Sequence, residues 1–178
     1  MTRRRIFKGG GRSEREVETV LQNLFVIEAL APSSALWLIS PWVTDLEVID
    51  NRSSSFRGIE PLWPHRRLRL TEVLSYLAQR GTEVVVATRA DGHNDAFHRR
   101  LEASSLALGA ADRVRIVVDR GDEQHEKGLL GDGFFLSGSM NFTVRGVRLN
   151  DEHVTLSLDE DDVAAARINI RARYGGLR

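Results

Sequence analysis

The chain contains no cysteine. Disulfide staples and thiolate metal sites are therefore excluded, and the fold must rest on its own core. No apolar run approaches the roughly 18 residues that a membrane-spanning helix needs. The opening residues, "MTRRRIFKGGGRSERE", are basic but lack the apolar stretch of a secretion signal. We expect a cytoplasmic protein that does not engage a membrane. An excess of one charge is missing too: 25 Lys and Arg balance 25 Asp and Glu. Bulk electrostatics therefore names no partner and argues against a strong sequence-independent binder of polyanions. "KGGGR" is not a phosphate-binding loop, because the glycine spacing is wrong and no Gly-Lys-Ser/Thr follows.

What is present suits one globular domain. The 178 residues are 42% apolar and 28% charged, enough chain for a single proper core. Charge is uneven locally. Arg3, Arg4, Arg5, Lys8, Arg12 and Arg15 crowd the start, His65-Arg66-Arg67-Leu68-Arg69 forms a second basic run, and Arg171, Arg173 and Arg178 a third. Each run could meet phosphates, or simply be a solvated face. Residues 1–12 are expected to form a flexible basic arm, and residues 13–178 a single domain.

Periodicity fills in that domain. Ser13 with Glu16 is a capping-box signature, and Val17, Val20, Leu21, Leu24 and Ile27 follow at helical spacing to about Leu30. "ALWLIS" reads as a buried strand, residues 51–66 as loop, and "LTEVLSYLAQRG" as a helix stopped by Gly81. "EVVVAT" is a continuously apolar strand and so belongs inside a sheet. A third helix opens at Asn94, and "RVRIVV" is another strand. "HEKGLL" and "FFLSG" form a hairpin about Gly131-Asp132-Gly133, and "EHVTLSL" is a last strand. The acidic run Asp159–Asp162 precedes "VAAARINIRARY", where it complements a helix dipole and needs no metal to explain it. The expected fold class is α/β, a mixed sheet flanked by helices.

The hairpin concentrates the chemistry. Strand side chains alternate, so His125 and Lys127 share a face; Ser139 and Asn141 stand in the same relation past the second strand. These are either surface residues of a β-ribbon or groups converging on an anion. An ammonium with neutral donors suits a phosphoryl group, and an imidazole can attack it or donate a proton.

These residues resemble the phospholipase D superfamily. His125-x-Lys127 followed by Asp132 resembles its HxKxxxxD (HKD) signature; Gly138-Ser139-Met140-Asn141 resembles its Gly-Ser-x-Asn, and Asn150-Asp151-Glu152 its Asn-x-Glu. The motifs lie within residues 125–152, and elsewhere the match is only general α/β character. The resemblance implies an α/β/α sandwich and a metal-independent phosphodiesterase without cofactor. His125 would carry a covalent phosphohistidine. Glu152 would hold its other ring nitrogen. Lys127 and Asn141 would bind the non-bridging oxygens with help from Ser139. Asp132 is expected to orient the hairpin, and Gly138 and Asn150 to complete the motifs structurally. No metal site is expected.

Active relatives use two such histidines, one to attack and one to protonate the leaving oxygen. His65-x-Arg67 lacks a following Gly-Ser-x-Asn, His98-x-Arg100 lies inside a helix, and His93 and His153 have no basic residue two positions on. One half-site per chain implies a homodimer with its twofold axis near two copies of His125. Coupled imidazoles predict a bell-shaped pH–rate profile. Small single-motif members resemble the bacterial endonuclease branch, which points to nucleic acid, DNA in preference to RNA. Arg145 and Arg148 could extend a phosphate track. The look is also similar to small phospholipase D-like proteins encoded with bacterial defence or DNA-modification systems, one group of which accompanies 7-deazaguanine modification, so partner proteins could deliver substrate. A phospholipid-cleaving enzyme and a catalytically silent binding subunit are the alternatives.

Overall fold

The computed structural model describes residues 3–8, 13–121 and 126–176. In chain order its elements are β1 (Arg3–Lys8), α1 (Ser13–Leu30), β2 (Ala35–Ile39), β3 (Glu47–Asp50), β4 (Arg67–Arg69), α2 (Leu70–Gln79), β5 (Glu83–Arg89), α3 (Asp95–Ala107), β6 (Val114–Asp119), β7 (Gly128–Leu130), β8 (Phe135–Gly138), α4 (Val144–Arg148), β9 (Glu152–Ser157) and α5 (Glu160–Tyr174). Seven strands form one mixed sheet in the order β1-β9-β8-β7-β2-β5-β6, and β3 pairs with β4 as a separate ribbon. β2, β5 and β6 run parallel, and β7, β8, β9 and β1 continue the sheet antiparallel. This is the α/β architecture expected from the sequence, with helices on both faces.

Alternation along the central strands decides the two cores. Leu36 and Leu38 of β2, with Val84 and Val86 of β5, join the larger cluster built with α1, α2 and α3. Their neighbours Ala35, Trp37, Ile39, Val85 and Ala87 face the other way, onto Val163, Ala166, Ile170 and Tyr174 of α5. A strand covered on both faces has no polar side to show, which is why "ALWLI" and "VVVA" read as unbroken apolar runs. Each such side chain contributes about 1.5–3 kcal/mol by leaving water.

Helix α1 corrects one detail. Its buried stripe is Val17, Val20, Leu21, Leu24, Phe25 and Glu28, while Ile27 is exposed. The stripe steps by three and four residues, and that period carries it to Phe25 and Glu28 rather than to Ile27. Glu28 is buried because Ser33 satisfies its carboxylate, with the backbone N–H at 2.9 Å and the hydroxyl at 2.7 Å. Burial pushes its pKa above the usual carboxylate value, against the hydrogen bonds from Ser33.

The basic start of the chain is likewise not a free arm where it is described. Arg3–Lys8 form β1, an edge strand antiparallel to β9, with Ile6 buried under α1 and Arg3 paired with Asp162. Glu16, the second residue of the expected capping box, pairs with Arg4. Gly9–Arg12 lie outside the described residues. At the far end of the chain the acidic run starts a helix as expected: Asp159 caps α5 by accepting from the backbone N–H of Asp162.

Candidate active site

The site grows from the place where the sheet changes direction. The carboxyl end of β2 lies beside the amino end of β7, with Ile39 opposite Gly128. β8 ends and β9 begins at the same level, with Gly138 opposite Val154. Lys127, Ser139 and Glu152 are therefore brought to one rim although they come from separate segments. Loops at the carboxyl ends of parallel strands are where open α/β sheets bind ligands.

Lys127 immediately precedes β7, so the strand expected to start at His125 starts later. His125 itself lies outside the described residues. Lys127 is half-buried, and that burial lowers its ammonium pKa below the ordinary lysine value; the charge of Glu152 works in the opposite direction. Glu152 is thus the counter-charge of Lys127, and it is held by neutral donors on either side. The Ser139 hydroxyl donates to Oε2, and the Asn150 amide lies 3.4 Å from Oε1. Ser139 also accepts the backbone N–H of His153 at 3.1 Å.

This geometry changes the reading of Ser139. A hydroxyl has one proton, and here it faces Glu152. Ser139 was expected beside a substrate oxygen, but its placement is that of a group that orients the carboxylate. Asn150, expected only as a structural part of the motif, does the same from the other side. His153 is exposed and points away from Glu152, as alternation requires.

Gly138 has a packing reason. A Cβ there would lie 2.1 Å from the carbonyl oxygen of His153, so β8 and β9 could not approach closely. Gly146 does the equivalent for α4, where a Cβ would meet the carbonyl oxygen of Asn141 at 2.3 Å. The short helix can then sit on Asn141, its start capped by Thr143 accepting from the Gly146 N–H at 3.0 Å.

Asn141 is positioned from β2. Ser40, fully buried, accepts the Phe142 backbone N–H at 3.1 Å, fixing the segment that carries Asn141. The Ser40 hydroxyl is 2.6 Å from the Trp42 carbonyl and 3.4 Å from Asn141 Oδ1, so its single proton goes to Trp42 and the asparagine contact is the weaker one. Asn141 opens onto a hollow of about 490 Å³ that it shares with Trp42, His93, Thr143, Arg145 and Asn150.

The two arginines part company. Arg145 lines this hollow beside Asn141. Arg148 does not: it lines a separate groove of about 340 Å³ on the other side of α4, with Arg15, Glu18, Glu47 and Arg67. There its Nε donates to Glu18 at 2.7 Å, and Glu47 lies 3.6 Å from its other nitrogen. Its ion pairs with Glu18 and Glu47 draw Arg148 away from the hollow that Arg145 lines, and the two carboxylates neutralise it. Trp42 and His93 are the two rings of the hollow, and motif spacing marked neither. His93 was weighed only as a second motif, and its place beside Asn141 depends on the β5–α3 loop.

Asp132 sits at the opposite end of the hairpin. Its carboxylate accepts the Ser34 backbone N–H at 2.6 Å and the Ser34 hydroxyl at 2.9 Å, while its own N–H donates to Ser33 Oγ at 2.7 Å. Arg167 of α5 closes over it, 2.9 Å from the Asp132 carbonyl and 3.4 Å from Oδ1. None of these contacts reaches the rim that holds Lys127.

Comparison with known proteins agrees with this fold. A family model described as cardiolipin synthase, PLD-like domain, matches residues 46–171. Nuc from Salmonella typhimurium, a phospholipase D family member, superposes with a TM-score of 0.64 at 13% identity, over 99% of this chain and 96% of that one. NucT from Helicobacter pylori gives 0.59 at 12% identity, over 96% and 94%. Phosphatidylserine synthase from Haemophilus influenzae Rd KW20 gives 0.61 at 17% identity, over 96% of this chain but only 38% of that protein. At such identities the likeness is one of fold. Among curated proteins no sequence match was found.

Proposed function

This chain belongs to the phospholipase D-like family, and on that premise we propose that it is a metal-independent phosphodiesterase of nucleic acid, working through a phosphohistidine at a site shared by two copies of the chain. The observation that carries the reading is the convergence of Lys127, Ser139 and Glu152 on one sheet rim, with Asn141 beside them on the segment fixed by Ser40.

In this reading His125 of one copy attacks phosphorus. A nitrogen–phosphorus bond forms, and the leaving oxygen departs with a proton from His125 of the other copy. Water then attacks the phosphohistidine; the second imidazole takes its proton, and the phosphate monoester leaves. Lys127 and the Asn141 amide receive the charge that develops on the non-bridging oxygens. A half-buried ammonium suits that task, because its charge is poorly solvated before substrate arrives and gains most from an anion. Glu152, braced by Ser139 and Asn150, orients and neutralises the imidazole when it turns cationic.

Nucleic acid is favoured over lipid by the hollow next to Asn141. Thr44, Thr143, Asn150 and the guanidinium of Arg145 line much of it. Among the described residues Arg145 has no ion pair, unlike Arg148. Such a lining suits a polar chain carrying further phosphates better than it suits acyl tails. No helix among the described residues is long and apolar enough to cross a membrane.

Trapping tests the chemistry. Protein mixed with a labelled oligonucleotide in EDTA and quenched in alkali should carry an alkali-stable, acid-labile label on His125. Absence of that label while cleavage continues would remove the covalent mechanism. Turnover of phosphatidylcholine vesicles, with no cleavage of DNA or RNA, would replace the nucleic-acid reading by the lipid one.

A further inference from the structure

The hollow beside Asn141 contains two rings that the phosphoryl chemistry does not use. Trp42 follows the end of β2, and His93 lies in the turn between β5 and α3. Both loops are fixed by side chains. Asn94, fully buried, accepts the Val43 backbone N–H at 2.9 Å, and its amide donates to the carbonyls of Pro41 at 3.0 Å and Arg89 at 2.9 Å. Asp91 ties the rings themselves. Its Oδ2 accepts the Trp42 indole N–H at 2.9 Å, and Oδ1 accepts the His93 backbone N–H at 2.9 Å. Those two bonds also draw the Asp91 pKa below the usual carboxylate value.

One carboxylate thus holds an indole and the segment carrying an imidazole at the mouth of the candidate site. With its N–H edge engaged, the Trp42 ring has its π-face left to offer. Across the same hollow stands Arg145, whose guanidinium has no ion pair among the described residues. An aromatic face next to a cation is the pattern that binds an unstacked base and its adjoining phosphate. A membrane headgroup would use the cation but not the flat ring. Duplex nucleic acid would hide its base faces inside the stack.

We propose that Trp42, His93 and Arg145 form a nucleobase subsite that seats the nucleotide next to the scissile phosphate, making single-stranded nucleic acid the substrate. The inference rests on the phosphodiesterase reading and adds to it a preference for an exposed base.

The test compares two fluorescent oligomers with equal numbers of phosphates, oligo(dT) and a chain of abasic tetrahydrofuran residues. Cleavage is followed in EDTA with the full-length wild-type chain, and binding by anisotropy with His125→Asn. Oligo(dT) should be favoured on the order of 10-fold in kcat/KM and in affinity, since one stacked base is worth that much. Trp42→Leu and His93→Ala should shrink the ratio toward unity, and Trp42→Phe should retain most of it. His93 is exposed, so its replacement tests the subsite even if Trp42→Leu fails to fold. Equal treatment of the two oligomers by the wild type overturns the subsite and leaves the nuclease reading standing. A ratio that survives in His93→Ala, and in Trp42→Leu where it folds, overturns it too. If neither oligomer is bound or cleaved, the nuclease reading and the subsite fall together.

Discussion

The β7–β8 ribbon has two ends that the same few residues treat in opposite ways. At the turn, Asp132 accepts from Ser34 and Arg167 and donates its backbone N–H to Ser33, and Glu28 has both oxygens bonded to Ser33. At the rim, burial holds the Lys127 ammonium pKa below its ordinary value, and Asn141 opens onto the hollow. The turn end is tied up by bonds within the chain, whereas the rim end presents a partly desolvated ammonium whose charge an anion would favour. On the proposed mechanism, the difference teaches that the motif's aspartate would serve stability and its lysine, five residues earlier, chemistry.

The comparison can be broken at either end. His125→Asn should lower turnover by more than about 10⁴-fold, because in the proposed mechanism one imidazole would be nucleophile in one copy and acid in the other. Thermal unfolding should not move; a variant that unfolds would assign His125 to the fold. Lys127→Met should cost on the order of 10²–10³ in kcat and leave stability no lower. The sign follows from the depressed pKa. The burial penalty applies while Lys127 is protonated and is relieved as pH rises from its folded value toward the ordinary 10.5. Unfolding measured across the alkaline range should show this rise in the wild type and not in the variant.

Gly138→Ala should destabilise by about 2–3 kcal/mol, since the new methyl meets backbone rather than a movable side chain. Asp132→Ala should cost about 1–2 kcal/mol in denaturant unfolding through the lost bonds to Ser34. Its kcat, measured where the variant is folded, should stay within a few-fold of wild type. A larger loss would place Asp132 in the chemistry and dissolve the contrast between the two ends. The smallest effect belongs to Glu28→Gln. The Glu28 pKa is raised by burial, so its contribution is greatest below the ordinary carboxylate value and is lost as pH rises through the folded one. The variant should flatten that slope in pH-dependent thermal melts.

The long elements could be read from the sequence because burial writes a period into them. "ALWLI" and "EVVVATR" are apolar throughout, and α1 repeats at helical spacing through Phe25. The short ones could not. β4 contains one buried side chain, Leu68, and β3 two, Val48 and Ile49; α4 is five residues long. Among its described side chains β1 buries only Ile6, so its composition reads as a basic tail while its backbone bonds to β9 decide its structure. At the site, residue types singled out the hairpin, the resemblance of three motifs to a known family named Glu152 as well, and the rim brings Lys127, Ser139 and Glu152 together. Spacing could not say that Ser139 turns to Glu152, or that Arg148 turns to Glu18, because those choices belong to partners far along the chain.

The strand that delivers Glu152 is flanked by β8 on one side and by the first strand of the chain on the other. Its carboxylate therefore reaches Lys127 only once β9 has been made and has entered the sheet between β8 and β1. Such long-range pairing is slow to form. During synthesis the lysine and the asparagine are made before their acidic counterpart, so the proposed site is complete only when the last strand has joined the sheet.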